Sequence, residues 1–169
     1  LARDEIRNRV INVLKKYEND EIFLIAHSMG SIIAFDFLTF SLPKLKINTF
    51  ATIGSPLGIP FVRSKIALEQ KVTVPDNYKP KTPRGVQNWF NFSDLEDVVA
   101  INYSLKDDFD ANRKGVRAYD YIVYNDYEIN KVKNTQPSFV YLRTPEFSKV
   151  LLEFILQKEK GFIQKLKNF

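Results

Sequence analysis

Ser28 is the residue of this sequence whose surroundings point most directly to chemistry, with Ala26 two positions before it and Gly30 two positions after it. The apolar run 22–26 is short enough for a strand and apolar enough to be buried on both faces, as in a parallel sheet. Residues 32–38 continue as a nearly all-apolar helix. A serine on so sharp a turn takes a strained conformation and projects its hydroxyl above the sheet, where helix N–H groups favour developing negative charge. The pattern predicts a nucleophile elbow.

This strand, turn and helix resemble the α/β-hydrolase family, and its lipase and esterase branch most closely. The resemblance implies that Ser28 is the nucleophile and that the N–H of Met29 is one donor of the oxyanion hole. Positions flanking such a serine must be small, so Ala26 can stand where glycine is more usual. The five-residue pattern also occurs by chance, and the alternative is an ordinary strand–turn–helix with a surface serine. The flanking apolar segments favour the functional interpretation.

In the α/β-hydrolase family the acid follows the strand two beyond the elbow, so the resemblance implies an acid at that place in this chain. A serine hydroxyl needs a base to take its proton, and a carboxylate orients that base. The aromatic strand before Asp97 resembles the family's acid-bearing segment, with Val98 where proline is common. Asp94 is the alternative, and either carboxylate could instead solvate the loop or cap a turn. We interpret Asp97 as the matching acid.

The base is missing from its expected place. The chain has one histidine, His27, beside the serine, where the family often has a histidine that is not the base. The tail from Tyr141 to Pro145 resembles the segment that follows the family's catalytic histidine, and counting back puts Gln136 at that position, with Pro137 the alternative by one residue. Glutamine can hydrogen-bond to both partners but cannot accept a proton near neutral pH. The sequence therefore predicts an impaired triad.

Length and composition fit one domain, and we interpret residues 1–169 as a single unit. With no cysteine, a disulfide framework and a cysteine nucleophile are excluded. The net charge of +5 comes without a nucleic-acid motif, so no nucleic-acid partner is expected, and attraction to a membrane surface is only weakly indicated. No metal or cofactor is expected. No signal peptide or membrane span is visible, and the compartment is left open, with the cytoplasm slightly favoured.

Hydrophobic periodicity and turn residues predict the other elements. We expect helices at 2–17 and 61–70 and from Thr144 onward, the last broken at Gly161; strands at 22–26, 47–53, 86–92, 115–124 and 127–130; loops at 106–113 and 131–143; and a surface excursion or lid at 72–85. Threonine followed by proline at 144 and 145 is typical of a helix start.

These elements predict an α/β fold with a mostly parallel sheet and helices on both faces. In the family, the order helix, strand and elbow occurs in the middle of the fold, so the resemblance covers its later half and almost all of this chain. We therefore expect an α/β-hydrolase-like domain that lacks its first strands. The elbow strand would then lie at a sheet edge, to be completed by a preceding segment or a partner chain.

Two functions remain open from the sequence. The first is a serine hydrolase of the esterase or lipase type, acting on a small-molecule acyl or lipid-like substrate, with Phe61, Trp89 and Phe139 as residues that line the acyl site or belong to the core. The second is a non-catalytic α/β-hydrolase-like domain that binds a ligand or partner through the same cleft. A nucleotide-binding domain is disfavoured because no glycine-rich phosphate loop is present.

Overall fold

The computed structural model describes residues 2–42, 44–71, 79–100 and 102–166, with side chains described as far as residue 157. The helices are α1 (Ala2–Leu14), α2 (Met29–Phe40), α3 (Pro60–Glu69), α4 (Leu105–Asp108), α5 (Ser138–Leu142) and α6 (Pro145–Leu166). The strands are β1 (Phe23–His27), β2 (Thr49–Ile53), β3 (Trp89–Asp94), β4 (Ala118–Val123), β5 (Glu128–Ile129) and β6 (Val132–Lys133).

A four-stranded parallel sheet organises the chain, in the spatial order β1-β2-β3-β4. Because all four strands point the same way, the loops after their carboxyl ends meet at one edge. The elbow after β1 and the acidic loop after β3 therefore lie at the same end of the sheet, where the strands have their carboxyl ends. The predicted α/β class and parallel sheet are confirmed.

Helices cover both faces of this sheet, because successive strand side chains alternate between the two faces. On one face, Phe50 and Trp89 pack with Phe35 of α2, in a cluster that also takes in residues of α1, α3 and α4. On the other face, Phe92 packs with Phe147 of α6, in a cluster that also includes α5. The core thus consists of two layers, one on each face of the sheet, and the sheet is held between them.

Several predicted boundaries are corrected by side-chain hydrogen bonds. The strand expected at 86–92 begins at Trp89: Val86 forms only an isolated parallel bridge with Ile47, and its carbonyl accepts a hydrogen bond from Nδ2 of Asn112 at 3.0 Å. The strand expected at 115–124 begins at Ala118, because the N–H of Val116 is bound to Oδ1 of the same asparagine at 3.2 Å.

The C-terminal half also has more regular structure than the pattern predicts. The expected loop 131–143 contains β6 and α5, and the expected loop 106–113 begins within α4. Thr144 and Pro145 do begin a helix, as predicted, with Oγ1 of Thr144 accepting the N–H of Phe147 at 3.4 Å. Gly161 does not break α6, since a helical glycine costs only about 1 kcal/mol. Of the predicted excursion 72–85, residues 72–78 lie outside the described residues; Thr82 is buried and bound to the Asp110 carbonyl.

Candidate functional site

Ser28 lies on a strained turn between β1 and α2. Its backbone has φ +50° and ψ −131°, a region that costs a non-glycine residue free energy and persists only when neighbours hold it. Its N–H donates to the Ile53 carbonyl at 3.1 Å, and its carbonyl accepts the N–H of Ser31 at 2.9 Å. The half-buried serine is thus fixed from both sides at the start of α2.

The structure does not show the steric crowding that was expected to require a small residue at Gly30. A Cβ added at Gly30 would meet nothing within 4 Å among the described residues, so no steric clash there demands glycine. Met29, between the two, is the first residue of α2, and its side chain is exposed. The first N–H groups of a helix have no partner within it, which leaves the Met29 N–H suited to an oxyanion.

Asp97 is a buried carboxylate held in place by several donors. The N–H of Val99 donates to its Oδ1 at 2.9 Å, and the phenol of Tyr141 donates to its Oδ2 at 2.5 Å. Burial, and then the hydrogen bond to Asp97, raises the pKa of Tyr141 well above its usual range. Tyr141 therefore remains a hydroxyl donor at neutral pH and fixes the orientation of the carboxylate.

Asp94, the alternative acid, is committed elsewhere. Its Oδ2 accepts the N–H and the Nδ2 of Asn125 at 3.0 and 2.8 Å, and its Oδ1 accepts the N–H of Glu96 at 2.9 Å. These bonds join the ends of β3 and β4. The carboxylate that contacts Gln136, the residue next to Ser28 Oγ, is that of Asp97.

Gln136 occupies the place between Ser28 and Asp97. One end of its side-chain amide lies 2.5 and 3.0 Å from the two carboxylate oxygens of Asp97, and the other end lies 3.2 Å from Ser28 Oγ. Amide oxygen and nitrogen have nearly the same shape, so their positions are assigned from the hydrogen bonds they make. The opposite orientation would set the amide oxygen against the carboxylate, acceptor against acceptor. Pro137, the alternative position, instead immediately precedes α5.

His27 supports this assignment and is itself excluded as the base in this arrangement. Its Nε2 lies 2.7 Å from the main-chain carbonyl of Gln136, which can only accept, so Nε2 carries a proton. The Gln136 side-chain atom 3.3 Å from the same nitrogen must then be the oxygen. With its Nε2 donating to Gln136, the imidazole anchors that residue and has no lone pair on this nitrogen for the serine.

The three aromatic residues considered for an acyl site separate in the structure. Trp89 is 1% exposed and belongs to the core, where its Nε1 donates to Oγ1 of Thr52 at 3.1 Å. Phe61 and Phe139 are 76% and 48% exposed and are not core residues. Phe61 lies in a groove formed with residues of α1 and α2, and the Phe139 ring packs edge-on against the Tyr127 ring, with 4.9 Å between the ring centroids.

Three supporting residues escaped the sequence reasoning. Tyr141 lies within the segment used to place Gln136, but nothing local shows that its hydroxyl reaches Asp97. Ser31 and Ser55, buried beneath the elbow, are joined by a hydrogen bond of 2.7 Å between their hydroxyls. The available signal for Ser31 was a serine within the otherwise apolar helix after the elbow, and for Ser55 it was a place in the loop after the next strand.

Two further searches concern metals and membranes. Across the described residues, no cluster of three or more histidine, aspartate or glutamate side chains is arranged to hold a metal ion. Within that same part of the chain, no helix combines the length and apolar character needed to cross a bilayer.

Comparisons of the chain with protein-family models, with curated proteins and with solved structures found no match. The geometry at Ser28, Gln136 and Asp97 is therefore the observation that bears on function.

Proposed function

We propose that this chain carries an esterase-type site on an α/β-hydrolase-like fold, with Ser28 as the nucleophile toward the acyl carbonyl of a small-molecule or lipid-like ester. The observation that carries the proposal is the hydrogen-bonded row in which Ser28 donates to the amide of Gln136 and that amide donates to Asp97. The row has the geometry of a serine, a base and an orienting acid, with a neutral amide in the position of the base. The strained elbow at the start of α2 supports it.

The proposed chemistry is acyl transfer to Ser28. The Oγ–carbonyl bond forms, negative charge on the carbonyl oxygen is stabilised by the Met29 N–H, and the bond to the leaving alcohol breaks. The serine proton must leave to water or to the departing alkoxide, because an amide oxygen cannot take it. Glutamine thus preserves the geometry of the site and removes its base.

Turnover in the unaltered chain is accordingly expected to be slow. When a triad member is lost, the oxyanion hole and substrate binding still leave about 10³–10⁴-fold catalysis over water. General-base catalysis alone contributes about 10²–10⁴-fold. The unaltered protein should therefore bind esters and acylate slowly at Ser28.

The test is covalent labelling by a fluorophosphonate, followed by identification of the modified residue. We expect slow labelling at Ser28 in the unaltered protein and labelling at least about 10²-fold faster in Gln136→His, because an imidazole there can accept the proton. Ser28→Ala should abolish labelling in both backgrounds. Gln136→Asn is the matched control, a neutral amide of different length that should give no gain.

A second function is favoured by the neutral character of Gln136 itself. A site in which no group facing the serine can accept its proton suits reversible binding of an acyl ligand without hydrolysis. Folded Gln136→His protein that leaves Ser28 unlabelled would exclude the esterase proposal and leave this binding function.

A further inference from the structure

Two buried hydroxyls, Ser31 and Ser55, connect the elbow to the loop after β2. Ser31 Oγ lies 2.6 Å from the Ser28 carbonyl oxygen and 2.7 Å from Ser55 Oγ. Ser55 Oγ also lies 3.2 Å from the backbone nitrogen of Leu57. The two serine residues are 0% and 2% exposed, so no bulk water replaces a lost bond. We call this chain of contacts the Ser31–Ser55 relay.

The direction of every bond in the relay is fixed by counting protons. The Ser28 carbonyl can only accept, so the Ser31 hydroxyl gives its single proton there. The Ser55 hydroxyl must then donate to Ser31 Oγ, and its own oxygen accepts the Leu57 N–H. The relay is therefore fully satisfied and admits one arrangement, which makes it a rigid connection.

The relay acts on the residue that most needs support. Ser28 has φ +50°, and such a conformation relaxes unless the surrounding structure holds it. Its carbonyl accepts both the N–H and the hydroxyl of Ser31, at 2.9 and 2.6 Å. A rotation of the Ser28 peptide would break both bonds and move Oγ away from Gln136.

The same relay reaches the acid through the loop after β2. Ser55 follows Gly54, where an added Cβ would lie 2.9 Å from Asp97 Oδ2. That loop therefore lies against the carboxylate while its serine supports the elbow. Nucleophile and acid are positioned from one short loop.

We propose that Ser31 and Ser55 are positioning residues for the Ser28 hydroxyl, acting on the covalent step and not on ligand affinity. The inference rests on the proposed acylation of Ser28. The ordinary alternative is a serine that only bonds back to the preceding turn of its own helix, as Ser and Thr often do. Thr39 of α2 makes such a bond, 2.7 Å from Oγ1 to the Phe35 carbonyl, and is the matched control.

The experiment measures fluorophosphonate labelling in the Gln136→His background as a function of probe concentration, which separates reversible affinity from the rate constant of bond formation. We expect Ser31→Ala to lower that rate constant about tenfold, the worth of one hydrogen bond, with affinity unchanged. Ser31→Thr, which keeps the hydroxyl, should restore it, and Ser55→Ala should cause a smaller loss. Thr39→Ala should have no effect. An unchanged rate constant in folded Ser31→Ala would overturn the proposal.

Amide hydrogen exchange gives a readout that does not depend on acylation. Ser31→Ala should speed exchange at Ser28 and at Leu57, whose N–H loses a fixed acceptor, and Thr39→Ala should speed neither. If Ser28 is unlabelled in every background, the esterase proposal fails while this measurement still decides whether the relay exists. If exchange at both amides is unchanged in Ser31→Ala, the relay itself is rejected.

Discussion

At the scale of single residues, Gln136 makes the hydrogen bonds expected of a catalytic histidine but lacks its basicity. Its amide nitrogen donates to Asp97 and its oxygen accepts from Ser28, which is the pattern a neutral imidazole makes. The hydrogen bonds are kept, and the ability to accept a proton near neutral pH is absent. In the proposed site, the geometric part of triad catalysis is thus separate from the proton-transfer part.

This separation predicts a difference in pH dependence. An unperturbed imidazole has a pKa of about 6.5, so labelling of Gln136→His should rise as pH increases through that region, where the introduced base becomes neutral. Among the described residues of the unaltered chain, no imidazole nitrogen with a free lone pair is shown facing Ser28, and the slow labelling should show no step there. Rate constants measured between pH 5 and pH 8 would check this. A matching step in the unaltered protein would point to His27 as the base and contradict the assignment.

Tyr141 predicts an effect of high pH on stability. Burial raises its pKa, so above about pH 10 the unfolded chain gives up a proton that the folded chain keeps. Its contribution to the free energy of unfolding is therefore fully present below about pH 10 and lost as pH rises beyond it. Tyr141→Phe should lower stability by about 1.5–3 kcal/mol near pH 7, through loss of the bond to Asp97, and should flatten the alkaline decline.

Urea unfolding at pH 7 and at a series of pH values above 9 measures both effects. Tyr124→Phe, which changes an exposed tyrosine, is the control and should leave stability unchanged. An alkaline decline as steep in Tyr141→Phe as in the unaltered protein would show that the phenol of Tyr141 is not its source.

At the scale of elements, alanine substitutions at two glycines distinguish the cost of backbone strain from the cost of steric contact. Gly54 and Gly115 both have positive φ, +52° and +79°, so alanine at either position costs about 1–2 kcal/mol. Only at Gly54 does an added Cβ meet neighbours, 2.9 Å from Asp97 Oδ2 and 3.0 Å from the Tyr141 ring. We expect Gly54→Ala to be less stable than Gly115→Ala by about a further 1–3 kcal/mol.

The two variants should also differ at the site. Gly54→Ala displaces the Asp97–Tyr141 pair and should slow Ser28 labelling in the Gln136→His background, whereas Gly115→Ala should not. Thermal unfolding and labelling rates measured on the same samples give the comparison. Equal stability of the two variants would mean that the loop after β2 yields, and that its contact with the acid is not a constraint.

The elements also show why the sequence predicted some parts of the site and not others. The elbow, Asp97 and Gln136 were each found from short segments that resemble the α/β-hydrolase family, and the structure brings all three together; their chemical roles remain predictions. Tyr141 and Ser55 act through hydroxyls that meet partners 44 and 24 residues away. Hydrophobic periodicity carries no record of such contacts. The start of β3 was missed for the same reason, since Val86 forms only an isolated bridge and its carbonyl binds Asn112, 26 residues away.

At the scale of the whole molecule, β1 is the edge of the sheet among the described residues. In a parallel strand, successive residues point their N–H and C=O groups to opposite sides. Ile22 and Ser28 bond to β2, through Thr49 N and the Ile53 carbonyl at 3.1 Å each. By alternation the backbone groups of Phe23, Ile25 and His27 face the other way. We propose that a further strand, from a preceding segment or from a partner chain, pairs there.

Amide hydrogen exchange at β1, measured on the isolated chain, tests this proposal directly. The N–H groups of Leu24 and Ala26 bond to β2 and should be protected, while those of Phe23, Ile25 and His27 should exchange faster, because no strand among the described residues accepts them. Supplying a preceding segment or a partner that completes the sheet should slow exchange at these three amides and leave the β2 side unchanged. Because β1 leads directly into Ser28, the same addition should raise the rate of labelling in Gln136→His. Strong protection of all five amides in the isolated chain would show that the edge is already covered and would reject the added strand.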